Sequence, residues 1–157
     1  MTPDYSPDGS QIAFTGNTDG KVGIFVMDAD GRNVHPVTPL RGDEGADSPS
    51  WSPDGRALAY SAHGDIYVQE ADRSETTNLT NTRDLFEAGP EWSPDGDQIA
   101  FLRGPCSAPC RPTRTADVFL MDAQGSNIRR LTETADGGYS PTSIENPSWL
   151  FTAGPDS

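Results

Sequence analysis

The sequence predicts an all-β fold, a propeller made of small four-stranded antiparallel sheets, and three observations predict it. Ser-Pro-Asp-Gly occurs at residues 6–9, 52–55 and 93–96, each time directly after an aromatic residue, Tyr5, Trp51 or Trp92. A short apolar run follows every copy. Each unit then closes on an apolar residue and a threonine, Val37-Thr38, Leu79-Thr80 and Leu131-Thr132. The resulting period of about 40 to 45 residues is that of propellers and solenoids. Such repeats bury their faces only against neighbouring repeats, so the unit of structure is the stack.

The elements of one unit follow from local chemistry. Proline presets φ at the second turn position, aspartate suits the third, and glycine takes positive φ at the exit. Asp8, Gly9, Asp54, Gly55, Asp95 and Gly96 are therefore structural turn residues. The next strand is Gln11-Ile12-Ala13-Phe14-Thr15, repeated as Ala57-Leu58-Ala59-Tyr60-Ser61 and Gln98-Ile99-Ala100-Phe101-Leu102, with apolar groups on both faces. A third strand, Ile24-Phe25-Val26-Met27, Ile66-Tyr67-Val68 or Val118-Phe119-Leu120-Met121, is apolar almost throughout, as in a sheet covered on both sides. A polar turn leads to a fourth strand whose Pro36, Glu75 and Arg129-Arg130 suit an exposed edge. With the short segment ending at the aromatic residue, each unit is a four-stranded meander, hence a propeller blade.

The expected blades are residues 2–38, 47–80 and 88–132, and the chain is one partial propeller domain over 1–157. Ile144-Glu145-Asn146-Pro147-Ser148-Trp149 repeats the approach to Trp51 and Trp92, so a fourth blade begins at 144–153 with its first strand. The pattern Pro-x-Trp-Ser-Pro-Asp-Gly, Ile-Ala-Phe, an apolar strand ending Met-Asp, and Arg-Arg-Leu-Thr resembles the WD-like repeat of TolB-type β-propellers over residues 2–132. The second unit departs from it, with Gln69-Glu70-Ala71-Asp72 in place of the hairpin glycine. The resemblance implies a bacterial protein in the periplasm or outside the cell, engaged in protein contacts, or a propeller attached to a peptidase or lyase.

Composition narrows the partners. A net charge of −13 argues against nucleic acid, whose binding needs a basic surface. No run approaches the roughly 18 to 20 apolar residues of a membrane span, and the first residues carry no signal-peptide pattern. Of the sixteen glycines and fourteen prolines, those of the Ser-Pro-Asp-Gly copies recur at repeat turns, with strand-like alternation between them, so the composition marks turns and not disorder.

Few residues here carry catalytic chemistry. His35 and His63 lie on an edge strand and in a loop, and no zinc-protease motif, nucleophile elbow or phosphate-cradling glycine loop occurs. The chain is expected to be no enzyme. Asp28-Ala-Asp30-Gly31-Arg-Asn33 starts like a calcium loop but has Pro39 where the closing glutamate belongs. Acidic residues ahead of the inner strands offer another route to a cation, with Asp47, Glu87 and Glu145 as expected oxygen ligands for calcium at one end of the central channel. No other cofactor is expected. Cys106 and Cys110 are not spaced as Cys-x-x-Cys and have no second pair, so a local disulfide in a proline-rich insertion is expected before a metal site.

The function expected is a scaffold that binds a protein partner at its loop face or channel mouth. Three blades do not close a ring, so two copies would pair into a homodimer of half-propellers, or the chain would be part of a larger propeller. The alternative is the propeller portion of an exported hydrolase, peptidase or lyase that positions or filters substrate.

Overall fold

The structure, a computed structural model, describes residues 3–39, 45–70, 75–107, 111–112 and 116–132. The first sheet contains β1 (Asp4–Tyr5), β2 (Gln11–Thr18), β3 (Lys21–Asp28) and β4 (His35–Pro36). The second contains β5 (Asp47–Trp51), β6 (Ala57–Ala62), β7 (Asp65–Glu70) and β8 (Thr76–Asn78). The third is β9 (Leu85–Trp92), β10 (Gln98–Ser107), β12 (Asp117–Asp122) and β13 (Arg129–Arg130), with the short β11 (Arg111–Pro112) added to the far end of β10. In each sheet these strands follow chain order and pair antiparallel, so the sheets are propeller blades, and no helix occurs among the described residues. The opening of a fourth blade and the departure at Ala71-Asp72 lie outside the described residues.

The repeated tetrapeptide has one geometry in all three blades. Ser6, Ser52 and Ser93 donate their hydroxyls to Asp8, Asp54 and Asp95 at 2.7, 2.7 and 2.6 Å. The same aspartates accept the backbone N–H of Ser10, Arg56 and Asp97, while the serine hydroxyls accept those of Gln11, Ala57 and Gln98. Gly9, Gly55 and Gly96 have φ of 70°, 71° and 77°, a region that β-carbons disfavour. Around the ring the turns touch. A Cβ on Gly55 would lie 3.6 Å from Pro7 Cδ, and one on Gly96 would lie 3.6 Å from Pro53 Cδ, each in the preceding blade.

The closing apolar-threonine pair also has a defined task. The amides of Val37, Leu79 and Leu131 donate to the carbonyls of Ile24, Ile66 and Val118. The hydroxyls of Thr38, Thr80 and Thr132 then accept the N–H of those same three residues at 2.9, 3.0 and 2.9 Å. Threonine thereby satisfies a backbone donor where the edge strand ends, a group that would be costly to leave unpaired in the interior.

Blades pack face to face. Ala13, Ile24 and Val26 of the first blade bury against Trp51, Leu58 and Tyr60 of the second. Ala59 and Ile66 of the second bury against Ile99, Phe101 and Met121 of the third. Burying side chains of this size contributes roughly 1.5 to 3 kcal/mol each, which is why the tertiary fold rests on these junctions and not on the strands alone. Tyr5, at the open side of the first blade, is 60% exposed, whereas the equivalent Trp51 is 7% exposed.

Candidate functional site

The inner strands β1, β5 and β9 each place one polar side chain just before the aromatic residue: Asp4, Ser50 and Glu91. Register makes them equivalent, because they pair with Ala13, Ala59 and Ala100. Asp4 Oδ2 accepts the backbone N–H of Trp51 at 2.7 Å, and Ser50 Oγ accepts that of Trp92 at 3.4 Å. Every such bond ties one inner strand to the next. Burial raises the Asp4 carboxyl above its ordinary value, opposed by the amides of Trp51 and Tyr5. Glu91 has no hydrogen-bond donor among the described residues, and burial, with a smaller contribution from the Asp4 charge, pushes it up to about 7.

A second polar constellation lies between the second and third blades, at the end opposite the repeated turns. Glu87 is fully buried and pairs with Arg103 at 2.8 Å. The Arg103 guanidinium sits 5.2 Å from the Phe101 ring centroid and 5.0 Å from that of Phe119, a cation held by two aromatic rings. The Glu87 amide donates to Gly64 O of the second blade at 2.8 Å. Burial raises the Glu87 carboxyl, while the Thr80 hydroxyl and Arg103 pull it back. Nearby, Asp65 accepts from the Asn78 side chain at 2.8 Å and from the Thr82 amide at 2.8 Å.

These contacts show where the sequence-derived candidates stand. Asp47 accepts the Thr15 hydroxyl at 2.6 Å across the first junction, and Glu87 is ion-paired across the second. Counted back from the following tryptophan, Asp47 is four positions away and Glu87 five, so alternation puts them on opposite strand faces. Glu145 lies outside the described residues. Among the described residues no group of three metal-capable side chains converges. Cys106 sits on β10 opposite Pro112 of β11, so the insertion extends the third blade as a hairpin; Cys110 lies outside the described residues. His35 is exposed, with its Nδ1 2.7 Å from Asn33 O.

Several structural residues escaped the reading of the sequence. Asn33 and Asn127, at φ of 54° and 53°, donate side-chain amides to Asp28 and Asp122 at 2.6 Å in both cases. The calcium-like stretch is thus a hairpin turn closed by its own asparagine. Its signal was legible, since Asp-Ala-x-Gly-x-Asn occurs at 28–33 and again at 122–127. The Arg103 pairing had no such signal, because the equivalent positions in the other blades are Gly16 and Ala62.

On the face carrying the repeated turns, a groove of about 1110 Å³ runs between the second and third blades. Pro53, Val68, Leu79 and Trp92 give it apolar walls, with Arg56 and Gln124 among its polar groups.

Comparison with known proteins agrees with this architecture. Residues 1–107 match the family model described as the TolB beta propeller domain. A protein TolB homolog of Chlorobium chlorochromatii is 36% identical over 146 residues, covering 90% of this chain and 30% of its own length. Another, of Chlorobium luteolum, is 30% identical over 125 residues, covering 78% of this chain and 26% of its own. The chain therefore spans less than a third of these curated relatives. Among solved structures, putative TolB from Agrobacterium tumefaciens superposes with a TM-score of 0.75 at 26% identity, covering 89% of this chain and 52% of that one. With that family model matching well over half of its length, the chain belongs to the TolB β-propeller domain family.

Proposed function

We propose that the chain is a non-enzymatic propeller scaffold that binds a protein partner on the face carrying the repeated turns. The observation that carries this reading is the commitment of charged side chains to architecture. Asp8, Asp54 and Asp95 close turns, Glu87 pairs with Arg103, Asp117 pairs with Arg130 at 2.6 Å, and Asp47 and Asp65 accept hydroxyl and amide donors. Function then falls to surface, and the groove between the second and third blades combines apolar walls with polar groups, as protein interfaces do. A calcium site at Asp47, Glu87 and Glu145 is not part of this reading, because Arg103 already neutralises Glu87. Family resemblance supports a periplasmic or extracellular setting. Two copies would supply six blades, a number within the propeller range, and homodimerisation through the end blades is the assembly proposed for this chain by itself.

A photo-crosslinking residue placed at Arg56 or Gln124 tests the surface in intact cells. One discrete protein adduct is expected at these positions, absent for the same probe at Ile128 and lost when Thr77→Arg is introduced into the groove wall. Equal adducts from all three positions, or none from the groove, overturn the reading. Light scattering at micromolar concentration tests the dimer separately.

A further inference from the structure

The second and third blades each carry an aromatic pair on the face turned to the preceding blade. In the third, Phe101 and Phe119 stand opposite each other on β10 and β12, with ring centroids 6.0 Å apart. Arg103, two residues further along β10, lays its guanidinium against both rings. In the second, Tyr60 and Tyr67 take the same places on β6 and β7, with centroids 5.7 Å apart and rings within 10° of parallel. The position of Arg103 falls there to Ala62, whose methyl group cannot take the place of a guanidinium. A cavity of about 360 Å³ lies at this place, lined by Tyr60, Ala62, Tyr67 and Thr76 of the second blade and Thr38 of the first, with the exposed His63 beside them.

Charge differs between the two blades in the same sense. An aspartate stands opposite the position in question, Asp117 opposite Arg103 and Asp65 opposite Ala62. Asp117 has a cation, Arg130, at 2.6 Å. The residue in the register place of Arg130 in the second blade is Asn78, since they stand opposite Phe119 and Tyr67. Asp65 is 7% exposed and accepts from Asn78, Thr80 and Thr82, all of them neutral donors. The Asn78 amide joins the Asp65 carboxyl at 2.8 Å to the Tyr67 hydroxyl at 3.2 Å, and burial, with a smaller contribution from the Asp65 charge, raises that hydroxyl above its ordinary value. The second blade thus keeps the aspartate and the aromatic pair and replaces both arginines. A buried acidic group without a counter-charge is costly, and a cation brought into the cavity offsets that cost.

We infer that this cavity is a guanidinium site, filled by an arginine side chain of another polypeptide laid against Tyr60 and Tyr67 as Arg103 is laid against Phe101 and Phe119. Tyrosine rings attract a cation through their faces as phenylalanine rings do, and Asp65 adds the negative charge nearby. A guanidinium suits the place better than an ammonium, because it is planar, stacks on aromatic faces and is more weakly hydrated. The chain's net charge of −13 favours the approach of a basic segment. The cavity lies at the end opposite the repeated turns, so the inference is independent of the groove between the second and third blades and of the dimer.

Titration of the full chain with N-acetyl-arginine amide at pH 8, where histidines are ordinarily uncharged, tests the site through 13C-labelled tyrosine rings. The two ring signals are assigned by their loss in Tyr60→Phe and Tyr67→Phe. Saturable shifts are expected at Tyr60 and Tyr67, with the exposed Tyr5 unmoved. N-acetyl-citrulline amide, of the same shape without the charge, should bind more weakly by about tenfold or more. Asp65→Asn should weaken the arginine probe by about threefold or more, and Ala62→Arg, which supplies the cation from within, should abolish its shifts. No saturable shift, equal binding of the citrulline probe, undiminished binding in Asp65→Asn or shifts that persist in Ala62→Arg overturn the inference. Free arginine, titrated in parallel, separates the sources: binding tighter than the blocked probe by about tenfold or more would assign the site to the amino acid and overturn the polypeptide origin. Arg41 lies between Pro39 and Gly45 in the sequence, and binding that emerges only in Arg41→Gln would assign the guanidinium to this chain itself and likewise overturn it. Should Ala62→Arg fail to fold, Tyr67→Leu decides through the Tyr60 signal, since binding retained without the second ring is a negative result and binding lost supports the site.

Discussion

The two blade junctions are built from the same repeat yet hold together by different chemistry. Between the first and second blades, Ala46 and Ala62 occupy the positions that Glu87 and Arg103 occupy between the second and third. The first junction instead carries hydrogen bonds at both ends, from the Thr15 hydroxyl to Asp47 at 2.6 Å and, toward the repeated turns, from Gln69 to Val37 O at 2.9 Å. The equivalent of Gln69 in the third blade is Met121, which is fully buried. The ion pair and the glutamine thus each belong to one junction only. What stays constant is the steric frame, the turn-to-turn contacts of Pro7 with Gly55 and Pro53 with Gly96 and the insertion of large apolar groups between sheets. A propeller junction thus needs a filled interface, and it tolerates different polar contacts within it.

The largest expected effect breaks the ion pair. Arg103→Ala leaves Glu87 buried without its counter-charge and is expected to destabilise the chain by about 3 to 5 kcal/mol. Adding Glu87→Ala recreates the alanine pair of the first junction and should recover at least about 1 kcal/mol, measured by denaturant unfolding. Additive losses would show that the two side chains act separately.

Gly55→Val and Gly96→Val probe the part the junctions share. Both force a β-branched residue to φ near 70° beside a proline of the preceding blade, for an expected loss of about 1 to 3 kcal/mol each. Unequal melting temperatures would mean that the turns carry different loads after all.

Gln69→Met transplants the methionine of the second junction into the first. The Val37 carbonyl loses its donor, and about 1 kcal/mol of stability should go with it. No loss would reduce the difference between the junctions to packing alone.

Ser48 and Gly89 hold the same bulge position of their inner strands, at φ of 54° and 60°. Ser48→Gly should relieve left-handed strain and raise thermal unfolding by an amount worth up to about 0.5 kcal/mol; no rise would show that serine holds this position without strain.

The smallest effect is common to every blade. The Ser10 amide, with the Ser6 and Ser10 hydroxyls, holds Asp8 down to about 2, and Asp54 and Asp95 are lowered by their own serine hydroxyls and turn amides. A carboxyl lowered on folding adds stability above its ordinary value of 3.8, and that contribution disappears as pH falls toward 2. Asp8→Asn should flatten the acid limb of the pH-stability curve; an unchanged limb would place the acid sensitivity elsewhere.

Much of one blade was readable from residue types, because its logic is local. Serine, proline, aspartate and glycine complete their turn within five residues, and strand alternation showed which segments pair. The family followed from three such units in order. What one junction does differently from the next was not readable. Aligning Asp47 with Glu87 as like residues suggested a shared site, whereas one position of offset places them on opposite faces and gives them different partners.

By itself the sequence determined the all-β repeat, its turns and its closing threonines, since these depend on contacts a few residues apart and on the φ that proline and glycine permit. Only the tertiary structure decided which side chains meet between blades. Asp4 reaches Trp51, Thr15 reaches Asp47 and Ser50 reaches Trp92 across dozens of residues. Such pairings depend on how each sheet twists and seats on the next, and no periodicity in the chain encodes that geometry.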